Sequence, residues 1–311
     1  MDNQIRILDL LNQKQIKQYE LEKLIYGTIE IREKDTKKYI YTHNKENGIS
    51  STKYIGEYTE ELHNLILNNN LKAKELKKDI RKIEKELKKL DYVDEELTKE
   101  VSMNIDFAKR HLVDTIYKQA ILEGVATTLS DTENIIEGGK VNNMSSEDIL
   151  KIVNLKHSWE FILNKNVILT PTNYSILCTI NKLVEEGFYY NAGLLRNVPV
   201  KIGGTSWVPD IALESDIKDD KTKIVNSNKN AVDIAIELLL YVVKKQMFID
   251  GNKRTSVIFA NHYLISKGKG LIVIPDNKVD EYKKLLIDYY ENNNDKKIIS
   301  FIKNNCYLKI K

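Results

Sequence analysis

Over most of the chain apolar residues recur at steps of three and four, the spacing that lines up one face of an α-helix. The clearest run is Ala73, Leu76, Ile80, Ile83, Leu87 and Leu90, a heptad seam inside a helix expected from about Thr59 to Leu90. A second seam, Leu97, Val101, Ile105, Ala108, Leu112 and Ile116, follows the acidic stretch DYVDEE at 91–96. The two helices are therefore expected to fold back as an antiparallel hairpin. Ahead of them, Ile5, Leu8, Leu11 and Ile16 support a short helix or two. Between Ile25 and Ile55 the period changes to two: Ile25, Ile29 and Ile31 alternate with polar residues, Tyr39 and Tyr41 do the same, and Asn47-Gly48 is a hairpin signal. A three-stranded antiparallel sheet follows from that pattern. From about Ala120 the helical period returns, with Ser145 placed to cap a helix through Ile162 and further helices expected over about Thr172–Glu186, Ala231–Lys245 and Lys253–Ser266. VPVKIGGTSWVPD at 198–210 interrupts them, with β-type residues around Gly203-Gly204 and two prolines, and reads as a small hairpin on a helical body.

Composition narrows the class. The 311 residues are 42% hydrophobic and 30% charged, with 4 Pro and 13 Gly, a balance that suits a mostly helical protein of two globular units or one domain with an extension. Forty-eight basic against 45 acidic residues give +3, which points to neither nucleic acid nor an anionic membrane. Cys178 and Cys306 are the only cysteines, excluding a disulfide scaffold and a cysteine-rich zinc site. The N-terminus, MDNQIRILDL, lacks the plan of a signal peptide, and no apolar run approaches the ~18 residues of a membrane helix. A cytoplasmic protein with no membrane association is expected.

Charge is distributed unevenly. Residues 71–90 hold nine Lys/Arg and four Asp/Glu, a local +5 that reads as a solvated helix face or as a surface for nucleic acid or an acidic partner. Tyr26, Tyr39, Tyr41 and Tyr54 lie among Arg32, Lys37, Lys38 and Lys53. Such rings either pack on the helix that follows or stack on single-stranded nucleic acid.

The most informative residues stand between the last two strong helices, in QMFIDGNKRT, Gln246 to Thr255. A carboxylate, a glycine, an amide and two cations at the mouth of a helix form an anion nest suited to phosphates, and Asp250 can hold a magnesium ion bridging them; an ordinary helix-loop-helix turn capped by Asp250 fits the composition equally. The order of residues adds more. Phe248, Asp250, Gly251, Asn252, Lys253 and Arg254 match in register the His-x-Phe-x-Asp/Glu-Gly-Asn-Gly/Lys-Arg string of the Fic family, which they resemble. Gly193-Leu194-Leu195-Arg196 and the segment at 198–210 resemble that family's Gly-x-x-Arg stretch and its flap, here Gly204, Thr205, Ser206 and Trp207. The resemblance covers about residues 115–305. It divides the chain into residues 1–58 (a helix and small sheet), 59–114 (the helical hairpin) and 115–311 (a Fic-like domain with an inhibitory helix at its start).

The resemblance implies transfer of a nucleotide monophosphate, usually AMP from ATP with Mg, to a hydroxyl side chain of a target protein. Asp250 would be the metal ligand, and Phe248, Gly251, Asn252, Lys253 and Arg254 would form the nucleotide site. Gln246 stands where the family has its catalytic His and Met247 where it has Pro. A glutamine amide orients a hydroxyl but accepts no proton near neutral pH, so the general-base contribution of ~10²–10⁴ in rate is lost. No histidine replaces it by position: His262 lies two turns into the next helix and His157 on an amphipathic one. Glu123-Gly124 resemble the family's inhibitory Ser/Thr-x-x-x-Glu-Gly string, with Gln119 for Ser/Thr and Val257 for the partner Arg; Glu137-Gly138 compete for that assignment. Two functions follow: an impaired nucleotidyltransferase, or a nucleotide-binding pseudoenzyme acting through interactions. The target protein, a homodimer formed through exposed seam residues and nucleic acid at the N-terminal region are the candidate partners.

Overall fold

The computed structural model describes residues 3–46, 49–92, 96–142 and 144–310. The chain forms two compact units, residues 9–93 and residues 1–8 with 94–311. The boundary at 93 places the two seam helices in different units.

The smaller unit holds most of α1 (Asn3–Glu22), strands β1 (Thr28–Lys34), β2 (Lys37–Glu46) and β3 (Ile49–Glu57), and α2 (Glu60–Lys89). The strands form an antiparallel sheet in chain order; the Asn47-Gly48 turn signal lies outside the described residues. Thr59 caps α2, its hydroxyl accepting from Leu62 N at 3.1 Å. Ile40 is fully buried and pairs with Gly56, which lies against Leu62 of α2. Tyr39 and Tyr41 therefore occupy the opposite face of the sheet, where their rings meet Tyr54 at a tilt, 6.2 and 5.4 Å between centroids. These three rings do not pack on the following helix; Tyr26 alone meets it, through Lys77.

The α2 seam, Ala73, Leu76, Ile80, Ile83 and Leu87, is buried. Its antiparallel neighbour in this unit is α1: Lys14 meets Glu84 at 2.9 Å, Lys17 meets Asp79 at 3.0 Å and Glu20 meets Lys72 at 3.7 Å, so one helix ascends as the other descends. The second seam belongs to the other unit. Of the acidic turn at 91–96, residues 93–95 lie outside the described residues.

The larger unit continues through α3 (Lys99–Arg110), α4 (Leu112–Leu122), α5 (Leu129–Ile136), α6 (Ser146–Ile162), α7 (Lys165–Ile168), α8 (Tyr174–Val184), α9 (Glu214–Val225), α10 (Ala231–Lys245), α11 (Asn252–Ser266), β4 (Leu271–Ile272), α12 (Val279–Asn292), α13 (Asp295–Phe301) and β5 (Tyr307–Leu308). Its centre is α11, buried from Arg254 to Ile265 and packed along α10, with α6 and α8 beside it. A helix buried on all sides needs its polar side chains satisfied internally. Asn261 does so by donating to Ile272 O and accepting from Ile272 N, both at 2.8 Å. The second seam joins this core because Asn104 of α3 exchanges two hydrogen bonds with Gly270, at 3.2 and 2.5 Å.

The segment at 198–210 forms no strand pair; it is extended backbone turning at Gly203-Gly204. What closes its base is the buried Arg196 guanidinium, which donates to Val198 O at 2.8 Å, Pro209 O at 3.0 Å and Asp210 O at 2.8 Å. A side-chain fork here replaces the ladder of a β-hairpin, to which the prolines contribute no N–H. No described helix is long and apolar enough to cross a membrane.

Candidate functional site

The loop between α10 and α11 is over-determined by its backbone. Helix α10 ends at Gln246 in the left-handed region, φ 45° and ψ 56°, where glycine or asparagine is usual. Arg196 holds that strained turn, its Nε donating to Gln246 O at 2.5 Å and its backbone N to Met247 O at 2.9 Å. Asn252 then closes the loop, accepting from Phe248 N at 3.0 Å and donating to Phe248 O at 2.9 Å. Its amide is thus committed to shaping the loop. Asn181 of α8 ties the same loop to the core, donating to Asp250 O at 3.0 Å and accepting from Gly193 N at 2.9 Å.

Gly251 starts α11 at φ 74°, and a Cβ there would lie 2.3 Å from Glu185 Oε1. Only glycine satisfies both the backbone and that contact. Glu185, at the C-terminal end of α8, is 2% exposed and meets Arg254 Nη2 at 2.7 Å. The contact is a charge contact without hydrogen-bond alignment, since Oε1 keeps no hydrogen-bond partner. Burial raises the Glu185 carboxyl to about 7 despite the opposing pull of Arg254. Glu123, capping the end of α4, reaches the same cluster, with Oε1 3.7 Å from Lys253 Nζ and Oε2 3.7 Å from Arg254 Nε. The Arg254 guanidinium is buried, and its Nε and Nη1 have no hydrogen-bond partner. A buried cation with two idle donors at a helix N-terminus suits an anion that brings several acceptors.

Beside this cluster opens a cleft of about 510 Å³. Gln246, Asp250, Asn252, Lys253, Glu123 and Gly204 all line it, so six of the residues singled out in the sequence converge on one cavity. Lys201 of the flap and Lys283 and Tyr290 of α12 complete it; nothing in the periodicity of α12 marks them. Phe248 is buried behind the loop, and Gly124 is open, with nothing near its Cα hydrogen at φ 80°. Thr205 and Trp207 dock the flap instead of lining the cleft: Thr205 donates to Glu291 at 2.6 Å, and Trp207 stacks on Tyr290 at 5.3 Å and 11°. Ser206 is exposed.

The Gln246 amide is turned back onto its own helix, Nε2 donating to Val243 O at 2.7 Å. His262 is fully buried between Thr172, at 2.7 Å, and Val167 O, at 3.0 Å, and burial lowers it to about 4, so it is a neutral core residue. Gln119 is likewise structural, accepting from Trp159 Nε1 at 2.8 Å and donating to Arg254 O at 2.9 Å. Val257, in the place of a second arginine, lines a small cavity with Gln119 and Leu122. Glu137 is exposed, and of the two Glu-Gly pairs it is Glu123 that reaches Arg254. Among the described residues no group of three metal-ligating side chains forms. Glu185 and Asn181 were not anticipated: a Glu at a helix end and an Asn within an apolar helix carry no distinguishing spacing.

A model of the Fic/DOC family matches residues 171–264, the span that contains the loop, Glu185, Arg196 and the flap. No curated protein sequence matches the chain. Among solved structures, a Fic domain containing signaling protein from Bacteroides thetaiotaomicron VPI-5482 superposes with a TM-score of 0.54 at 18% identity, covering 67% of this chain and 85% of that one. Fic-1 from C. elegans (residues 134–508) gives 0.52 at 16%, covering 78% and 79%. A Fic family protein from Desulfovibrio desulfuricans G20 gives 0.50 at 15%, covering 67% and 72%. Residues 171–264 therefore belong to the Fic/DOC family, set in a larger unit with the Fic fold.

Proposed function

We propose that the cleft binds a magnesium nucleoside triphosphate and that the protein is a nucleotidyltransferase of the Fic type with a weakened transfer step, passing AMP from ATP to a hydroxyl of a target protein. The observation that carries this reading is Arg254, a buried guanidinium with two unpartnered donors beside the glycine-started helix. ATP would supply the adenylyl group, its α-phosphorus bonding to the hydroxyl oxygen as pyrophosphate leaves and the hydroxyl proton passes to solvent, while the chain's own residues receive the phosphate charge. The backbone N–H groups of Asn252, Lys253 and Arg254 and the two cationic side chains face the phosphates. Asp250, with its side chain 55% exposed, would hold the magnesium ion, which would offset the phosphate charge. Glu123 competes with phosphate for Lys253 and Arg254, which is the inhibitory role its position suggests. Gln246 orients the nucleophile without taking its proton.

A second reading, binding without transfer, is favoured by one contact: the Gln246 amide is already engaged with Val243 O. The two separate in one experiment. Purified protein and its Gln246→His variant are incubated with α-labelled nucleotides and cell lysate, while calorimetry follows Mg·ATP binding. Label transferred by the native protein, increased in Gln246→His, establishes the transferase; label from the variant alone establishes the binding reading. Arg254→Ala is expected to weaken binding about 10- to 100-fold, a loss of roughly 1.5–3 kcal/mol from a charge-assisted contact. Equal affinity of native and Arg254→Ala protein removes the site.

A further inference from the structure

One face of α2 carries a groove of about 650 Å³ lined by six cations, Lys74, Lys77, Lys78, Arg81, Lys82 and Lys85, and by no carboxylate. The sequence explains how the charge separates. Between residues 71 and 90 the positive excess is only five, yet three of the four carboxylates, Asp79, Glu84 and Glu86, are engaged by other cations. Asp79 and Glu84 face α1, where Lys17 and Lys14 meet them at 3.0 and 2.9 Å, and Glu86 takes Lys89 at 2.6 Å. Lys82 keeps a long contact to Asp79, 3.4 Å, whereas Lys74, Lys77, Lys78, Arg81 and Lys85 have no carboxylate within ion-pair distance among the described residues. They share one broad face of the helix, with Lys77/Lys78 and Arg81/Lys82 side by side across it, over about 16 Å at 1.5 Å per residue.

We propose that this face binds the phosphate backbone of single-stranded nucleic acid. Like charges held this close are unfavourable unless a polyanion or counterions neutralise them, and a phosphate chain gains affinity by releasing its own condensed counterions. A protein partner would need an apolar centre to its interface, and the groove offers only the buried Ala73 and the half-buried Tyr26. Tyr26, with Lys77 Nζ 4.6 Å from its ring centroid, adds at the rim the aromatic surface that unpaired bases stack on. The tyrosine face of the sheet is a weaker candidate because its charges are already matched: Arg32 sits 4.4 Å over Tyr41 but forms two hydrogen bonds to Glu30, at 3.0 and 2.9 Å, and Glu30 also meets His43.

The test uses the full chain and a fluorescein-labelled oligothymidylate of about 20 nucleotides, followed by fluorescence anisotropy between about 50 and 200 mM salt. The expected slope of log K against log salt is about −3 to −4, from five contacts at roughly −0.7 each. The triple reversal Lys74→Glu, Lys78→Glu, Arg81→Glu is expected to bind at least tenfold more weakly. The neutral triple variant with Gln at the same positions covers the case in which reversal disturbs folding, and circular dichroism checks both. Lys109→Glu with Lys140→Glu, surface changes of the same sense in the other unit, should bind as the native chain does. Absence of binding at the lowest salt, indifference of binding to both triple variants, or equal or tighter binding of a duplex or a polyglutamate peptide would each overturn the assignment. The nucleotide cleft belongs to the other unit, so its success or failure leaves this result unaffected.

Discussion

Glu185 shows how one residue outside the sequence motif can control the loop by contacting it. Its carboxylate lies where any Cβ on Gly251 would have to go and 2.7 Å from Arg254. Because burial raises it to about 7 from an ordinary 4.5, the folded state binds its proton more tightly than the unfolded state does. Its contribution to stability is therefore complete below about 4.5, falls as pH rises, and is lost above about 7. His262 acts in the opposite sense: held at about 4 against 6.5, it contributes fully above 6.5 and less as pH falls toward 4. The native curve mixes the two. Urea denaturation of Glu185→Gln beside the native chain isolates the first: relative to native, the variant should gain stability between pH 4.5 and 7, by about 3 kcal/mol at 1.36 kcal/mol per pH unit, and stay level above that. A difference that does not change with pH would mean that Glu185 is ionised throughout.

At the scale of elements, the flap is held by side chains rather than by a ladder. Arg196 fixes its base to the turn at Gln246, and Trp207 on Tyr290 with Thr205 on Glu291 fixes its far part to α12. An extended segment without strand pairing has a low free energy of local opening, so the stack bears directly on its order. Trp207→Ala should leave the melting temperature within a few degrees of native, since a half-buried ring on a surface segment contributes little to the global core. Tryptic cleavage after the exposed Lys201 should become several-fold faster. Unchanged cleavage would assign the order of the flap to Arg196 alone. The two seams show the same division between local and tertiary information. Their periodicity was legible, and both form helices. Their partners were not, because a heptad stripe specifies a buried face but not what covers it: α2 faces α1 through charge pairs, and α3 is captured by Asn104 and Gly270.

For the whole molecule, the two units predict separable stability and binding. Ile80 is buried in the smaller unit, and all residues lining the cleft lie in the larger. Ile80→Ala should destabilise the smaller unit by about 2–4 kcal/mol, seen as an earlier denaturation step, while calorimetry records unchanged affinity for Mg·ATP. Coupled loss of both would show that the units fold as one. Much of the site was readable because the loop is contiguous: Gln246, Asp250, Asn252, Lys253 and Arg254 lie within nine residues, and their order alone carries the family resemblance. The sequence by itself determined the helices, the sheet, the loop and the glutamine at its start, since each depends on residues near one another in the chain. Only the tertiary structure decided that Glu123 and Glu185 both confront Arg254, that Asn252 is consumed in shaping its loop, that Arg196 replaces a strand ladder, and that five cations on one face of α2 are left without carboxylates. Those facts depend on distances between residues tens of positions apart, and burial, which sets the cost of an unpaired charge, exists only once the chain has folded.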